Sequence, residues 1–168
     1  MISVIRIDDR LIHGQVIEGW VKHFNLEKII IVDDQICRDP FQQRIMKIAL
    51  LPGLIAEFVS LEEAVLAWST WEAEEPLSIL LVSHPDVILS LIEKGKPIRK
   101  VNVGCMHYEG GKEAVLKSVY WDEAEKKVFE ILSSRGIEIE GKGIPTERGI
   151  NINKLLEGEA LSGRGTDA

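Results

Sequence analysis

Residues 2–24, ISVIRIDDRLIHGQVIEGWVKHF, place a strand, a charged turn and a helix in immediate succession. Residues 2–7 form an apolar run of strand length, and residues 14–24 have the apolar spacing of a helix. Between them, residues 8–13 contain two aspartates, an arginine and a histidine. A strand that leads into a helix is the first half of a crossover unit, in which the next strand pairs parallel to the first.

The rest of the chain repeats this alternation of strands and helices. Apolar runs of strand length are separated by segments of helical periodicity, and they lie at residues 28–33, 54–59, 77–82 and 100–104. Several runs are apolar at consecutive positions, which is typical of strands covered by helices on both faces. We therefore predict a three-layer α/β/α sandwich with an open, mainly parallel sheet.

Local signals mark the starts and ends of the helices. Caps are predicted at Asp39 before Pro40, at Ser60 with Glu63, at Ser83 to Asp86, and at Asp122 with Glu125, and helix ends are predicted at Gly95 and Gly136. Residues 137–145 read as an edge-type strand, followed by a turn and a short helix at residues 152–156. We predict one domain over residues 1–157 and a frayed polar tail over residues 158–168.

Composition excludes several classes of function. The 168-residue chain has a net charge of −7, which would repel a phosphate backbone, so nucleic acid is not an expected partner. No apolar run reaches the length of a membrane-spanning helix, and the first residues lack the pattern of a secretory signal. Cys37 and Cys105 lie far apart, which fits a reducing compartment and argues against a disulfide framework. We expect a cytoplasmic protein.

The charged turn has the chemistry of an anion-accepting nucleophile. It follows the first strand, at the carboxyl edge where open parallel sheets bind ligands. Free imidazole titrates near pH 6.5, so most of it is neutral and nucleophilic at pH 7. A phosphoryl group on His13 would meet the backbone N–H groups of Gly14 and Gln15 and the guanidinium of Arg10. Asp8 or Asp9 would accept a hydrogen bond from the ring or from an arginine.

From residue types alone, an alternative remains open. The same turn could be an ion-paired structural loop in which His13 is only hydrogen-bonded. Other histidines at the predicted site edge, His84 and His107, are weaker candidates, and His84 is taken as a supporting residue. No two of the four histidines have a close spacing such as H-x-x-x-H, so we expect no metal site.

Residues 6–16, RIDDRLIHGQV, resemble the signature of the IIB component of the mannose/fructose/sorbose family of the sugar phosphotransferase system. The resemblance extends to IIIVDD at residues 29–34, IRKVNVGCM at residues 98–106 and GIPTE at residues 143–147, and covers roughly residues 1–156. It implies an open α/β sheet and a phosphocarrier that needs no cofactor or metal. The implied partners are a IIA protein as phosphoryl donor, the membrane components IIC and IID, and a sugar substrate.

The resemblance also assigns roles to residues. His13 matches the phosphorylated histidine and would carry phosphate on Nδ1, Arg10 matches the supporting arginine, and Asp8 matches the acid of the loop. Lys142 stands where the family often has an active-site arginine, and Cys105 stands where it usually has glycine. These departures motivate an alternative, a regulatory phospho-switch that uses His13 without sugar transport.

A third function also fits the sequence, that of an anion or small-ligand binding domain whose His13 is never modified. The sequence names no sugar. It also leaves the oligomeric state open, although tryptophans expected at the surface favour self-association.

Overall fold

The computed structural model describes residues 1–73 and 75–158, and its main sheet has seven strands in the order β3-β2-β4-β1-β5-β8-β9. These strands are β1 Ile2–Asp8, β2 Lys28–Val32, β3 Ile55–Val59, β4 Ser78–Val82, β5 Lys100–Cys105, β8 Glu138–Gly141 and β9 Ile150–Asn151. All neighbours pair in parallel except β8 and β9, which are antiparallel. The predicted open, mainly parallel sheet is confirmed.

Helices cover both faces of this sheet. They are α1 Gln15–Val21, which is π-helical, α2 Pro40–Ile48, α3 Leu61–Ala73, α4 Pro85–Glu93, α5 Glu123–Ser134 and α6 Ile152–Leu156. On one face, Ile29 and Ile31 of β2 pack with α1, whereas Ile30 and Val32 pack in a second core with α3, α4 and α5. Successive strand residues point to opposite faces, so each face of β2 is apolar and buried. This arrangement confirms the three layers.

The predicted helix boundaries are largely confirmed. The Asp39 side chain accepts from the Phe41 N–H, and the Asp122 carboxylate accepts from the Glu125 N–H at 2.7 Å. Ser60 and Glu63 also form reciprocal side-chain to backbone bonds. Gly95 and Gly136, with φ of 79° and 77°, follow α4 and α5 in the left-handed conformation that glycine adopts without steric cost. At the start of α4, His84 occupies the cap position without a side-chain cap bond.

Two features of the fold differ from the predictions. Residues 113–121, where the sequence analysis predicts no strand, form a hairpin of β6 Glu113–Leu116 and β7 Val119–Trp121. Strand β8 was predicted at the edge of the sheet, but it pairs with β5 on one side and with the two-residue β9 on the other. The short Ile150–Asn151 run carries too little periodicity to be recognised as a strand in the sequence.

The expected surface tryptophans are buried. Trp20, Trp68 and Trp71 lie in the two cores and are at most 6% exposed. They therefore provide no exposed apolar patch, and the homo-oligomer stays a prediction without this support. In residues 1–73 and 75–158, the helices are too short and too polar to cross a bilayer. Most of the predicted tail, residues 159–168, lies outside the described residues.

Candidate functional site

The candidate site begins where β1 ends at Asp8, near the middle of the main sheet. The chain turns sharply after Asp8, with the Leu11 N–H donating to the Asp8 carbonyl at 2.9 Å. Leu11 has a φ of 53°, a left-handed conformation that is unfavourable for a residue with a branched side chain. Burial of Leu11 and Ile12 against α1 offsets this strain. The turn thereby brings His13 back toward Asp8.

The His13 ring is held at both nitrogens. Its Nε2 lies 3.0 Å from the Asp8 Oδ2, and its Nδ1 accepts from the Gln15 backbone N–H at 3.3 Å. An ionised carboxylate only accepts and a backbone N–H only donates, so the two contacts are compatible with one neutral tautomer. In that tautomer the proton is on Nε2, and Nδ1 is unprotonated, with its lone pair accepting the Gln15 N–H. The ring is 9% exposed.

A buried arginine forms an ion pair with Asp8. The Arg6 side chain donates to the Asp8 Oδ2 from Nη2 at 2.8 Å and from Nε at 3.1 Å, and both residues are fully buried. Arg6 also bonds to the Asn102 side chain and to the carbonyls of Lys142 and Gly143. Its guanidinium lies 4.9 Å from the centre of a Trp20 ring. All of these partners stabilise a cation that would otherwise be costly to bury.

No role was predicted for Arg6 from the sequence. Arg6 and Asp8 are two residues apart on β1, so they share one face of the strand. That spacing is the signal that could have identified the pair. The position of Gly104 is a further consequence, because a Cβ there would lie 1.7 Å from the Arg6 Nη2.

Electrostatics keep the Asp8 carboxyl ionised. Burial alone would raise the pKa of Asp8, but the hydrogen bond from His13 and the positive charge of Arg6 outweigh it, and the pKa is lowered. Burial lowers the pKa of Arg6, and Asp8 opposes that change. Asp8 therefore faces the His13 ring as an anion at neutral pH.

The other predicted site residues are distributed around this centre. The Arg10 N–H donates to the Asp8 Oδ1 at 3.2 Å, and its exposed guanidinium forms no ion pair with the described residues. Gly14 is exposed at the start of α1. Lys142 contacts Arg6 through its carbonyl and borders a cavity of about 310 Å³ that His13 does not border. The structure thus joins Asp8, His13 and Gln15 by direct contacts.

A second cluster of polar side chains lies beside the turn. The Asp9 Oδ1 lies 2.6 Å from the His107 Nδ1, and the Cys105 Sγ lies 3.8 Å from the same nitrogen. Burial and the charges of Asp9 and Asp8 raise the pKa of Cys105 to about 11. Asp9, His107 and His84 border a cavity of about 360 Å³. The cluster was not predicted, because Asp9 lies 96 and 98 positions before Cys105 and His107 in the sequence.

The fold and the site define a class of protein, an open, mainly parallel α/β protein with a hydrogen-bonded aspartate–histidine pair at the carboxyl edge of its sheet. The family model described as the PTS system sorbose subfamily IIB component matches residues 2–164. The chain therefore belongs to this family of IIB components. It is a phosphotransferase of the sugar phosphotransferase system, whose IIB components work with IIA and with membrane IIC and IID components.

Individual relatives agree with this assignment. The chain is 35% identical over 156 residues to the N-acetylgalactosamine-specific phosphotransferase enzyme IIB component 2 of Escherichia coli (strain K12), covering 92% of this chain and 98% of the relative. It is 34% identical over 155 residues to the fructose-specific EIIB component of Bacillus subtilis (strain 168), covering 92% and 95%. The crystal structure of the IIBSor domain of the sorbose permease from Klebsiella pneumoniae superimposes with a TM-score of 0.85 at 30% identity, covering 96% and 99%.

Proposed function

We propose that His13 is the phosphocarrier of this chain and that Nδ1 is the atom that receives the phosphoryl group. The observation that carries the proposal is the contact between the His13 Nε2 and Asp8, which occupies one ring nitrogen and leaves the other unprotonated. A IIA protein bearing a phosphohistidine would be the donor, and a sugar would be the final acceptor.

In the proposed transfer one P–N bond forms as another breaks, and no proton has to move within the site. The Nδ1 lone pair forms a new P–N bond while the donor's P–N bond breaks, and the bonding pair returns to the donor nitrogen. The ring then carries positive charge and keeps its proton on Nε2, 3.0 Å from the anionic Asp8. The carboxylate thus stabilises charge that develops during the transfer, where electrostatic stabilisation contributes most to the rate.

The transferred phosphoryl group also brings negative charge, which requires hydrogen-bond donors or cations near the His13 Nδ1. The Gln15 N–H, which lies 3.3 Å from Nδ1, is placed to turn from the nitrogen to a phosphoryl oxygen. We propose that the exposed Arg10 guanidinium adds a bidentate contact when the donor docks. Gly14, Lys142 and His84 stay proposed supporting residues. The ammonium group of Lys142 would contribute a single positive charge.

We propose that the chain acts on the cytoplasmic side of the membrane. Cys37 and Cys105 are unpaired thiols in the structure, which fits a reducing compartment. There the chain would receive phosphate from a IIA protein and pass it to a sugar entering through IIC and IID. The relatives carry the names of different sugars, N-acetylgalactosamine and fructose among them, so the sugar is left to experiment.

The test is phosphoryl labelling with the general phosphotransfer proteins and a cognate IIA. The wild-type chain should gain one acid-labile phosphate, and His13→Ala should gain none. His23→Ala is the matched control, because His23 lies at the end of the same helical segment and makes a ring contact with Phe24. Equal labelling of His13→Ala and the wild type would refute the proposal.

A further inference from the structure

Three side chains with different ligand atoms converge next to the phosphocarrier turn. The Asp9 carboxylate, the Cys105 sulfur and a His107 nitrogen all lie within 4.8 Å of one another. A tetrahedral zinc ion with Zn–S near 2.3 Å and Zn–N near 2.05 Å separates sulfur from nitrogen by about 3.6 Å. The observed distance between the Cys105 Sγ and the His107 Nδ1 is 3.8 Å, close to that spacing.

The carboxylate needs only a small movement. The Asp9 Oδ1 lies 2.6 Å from the His107 Nδ1, whereas two such ligand atoms on zinc are about 3.4 Å apart. Replacing their shared hydrogen bond by a metal ion therefore requires the two atoms to separate by less than about 1 Å. The His107 side chain is 59% exposed and has room to rotate by this amount.

Backbone hydrogen bonds hold the cluster in place. The Asp9 N–H donates to the Cys105 carbonyl at 3.1 Å, which joins the turn after β1 to the end of β5. The His107 N–H donates to the Asp9 Oδ2 at 2.6 Å, so the second carboxylate oxygen is anchored. Such outer contacts orient ligand side chains in metal sites and raise metal affinity.

Although the sequence indicated no metal site, we propose that Asp9, Cys105 and His107 bind one zinc ion, with water as the fourth ligand. Zinc binding would displace the thiol proton of Cys105 to solvent, so that the sulfur ligand is the thiolate. Sulfur and imidazole ligands favour zinc over magnesium and calcium, which prefer all-oxygen sites. The cavity of about 360 Å³ that borders Asp9 and His107 gives the ion a route in and leaves room for the water. The ion would tie the turn that contains Asp8 to β5.

The metal site is separate from the phosphocarrier atoms. The contacts of His13 run to Asp8 and Gln15, whereas Asp9 contacts His107 on the other side of the turn. The proposal therefore does not depend on His13 being phosphorylated, and His13→Ala should bind zinc as the wild type does.

The test is calorimetric titration of zinc into the untagged, metal-free chain, with cobalt as a spectroscopic substitute. We expect one ion per chain and a sulfur-to-cobalt charge-transfer band. Cys105→Ser and His107→Ala should each weaken binding by more than the roughly 10- to 100-fold that loss of an outer contact costs. The charge-transfer band should disappear in Cys105→Ser.

Matched variants control for other thiols and histidines. Cys37→Ser and His23→Ala change residues outside the cluster and should keep wild-type affinity. Because Cys105 is buried, thermal unfolding without metal should verify that each variant is folded, and the exposed His107 provides an independent variant. A wild-type chain that binds no zinc stoichiometrically, or a folded His107→Ala with unchanged affinity, would overturn the proposal.

Discussion

Asp8 is the residue on which the site depends, because its Oδ2 accepts from both Arg6 and His13. Residue types alone left the choice between Asp8 and Asp9 open, whereas the family resemblance assigned the role to Asp8. The structure distinguishes them by direction: Asp8 shares a strand face with Arg6, while Asp9 faces His107. A single carboxylate thus compensates a buried cation and favours the His13 tautomer that carries its proton on Nε2.

Replacing Asp8 by Asn should slow phosphorylation of His13 strongly. The amide cannot stabilise a charged ring and allows the other tautomer, so we expect the rate to fall by roughly 100-fold or more. It also leaves Arg6 without its counter-ion, at a cost of about 3–5 kcal/mol in the free energy of unfolding. Rapid-quench labelling and urea denaturation measure the two effects.

Asp9→Asn is the matched control for this experiment, performed without added metal. Its carboxylate contacts His107 and not the His13 ring, so the phosphorylation rate should stay within a few fold of the wild type. If Asp9→Asn slowed labelling as much as Asp8→Asn, the role of Asp8 in orienting the ring would be contradicted.

The lowered pKa of Asp8 also predicts how stability depends on pH. Because the pKa is lower in the folded chain, the unfolded chain binds more protons near pH 4, and this contribution to stability is lost as the pH falls. Urea denaturation from pH 6 to pH 3 should show the stability difference between wild type and Asp8→Asn shrinking with acidification. A difference that stays constant over this range would argue against an ionised, stabilising Asp8.

At the level of the elements, β5 must pass close to the Arg6 guanidinium. In Gly104→Ala the new Cβ would collide with the Arg6 Nη2 at 1.7 Å and displace the cation from Asp8. We expect a loss of at least about 3 kcal/mol in the free energy of unfolding. In Gly110→Ala nothing lies within 4 Å of the new atom, so this control should change stability little, and equal losses would contradict the account.

The start of α5 provides a test of the local signals read in the sequence. Asp122 and Glu125 form a capping box, with each side chain accepting from the other's backbone N–H. Asp122→Ala should lower the free energy of unfolding by about 1 kcal/mol. Asp86→Ala, in the first turn of α4, removes no cap bond and should have a smaller effect in the same denaturation experiment.

Across the whole molecule, local patterns predicted much more than long-range contacts did. Alternating apolar runs and caps were sufficient for the layers, the parallel sheet and most helix boundaries, because periodicity and capping act within a few residues. The β6–β7 hairpin was missed because its strands are short and irregular, with a register shift between Ala114 and Leu116.

The candidate site was predictable only in part for the same reason. His13 and Asp8 lie in one stretch and were found there. The Asp9, Cys105 and His107 cluster forms when β1 pairs with β5. The partners of Arg6 on the loop after β8 reach it only when β8 also pairs with β5. Sequence spacing carries no direct information about such contacts between distant strands.

The most direct test of the central claim is the identity of the phosphorylated atom. Nuclear magnetic resonance of the chain labelled with ¹⁵N in its histidine rings, after phosphorylation by IIA, distinguishes the two ring nitrogens by their coupling to ³¹P. The account predicts phosphorus on Nδ1 of His13 and a proton retained on Nε2 beside Asp8. Phosphorus on Nε2, or on any residue other than His13, would contradict it.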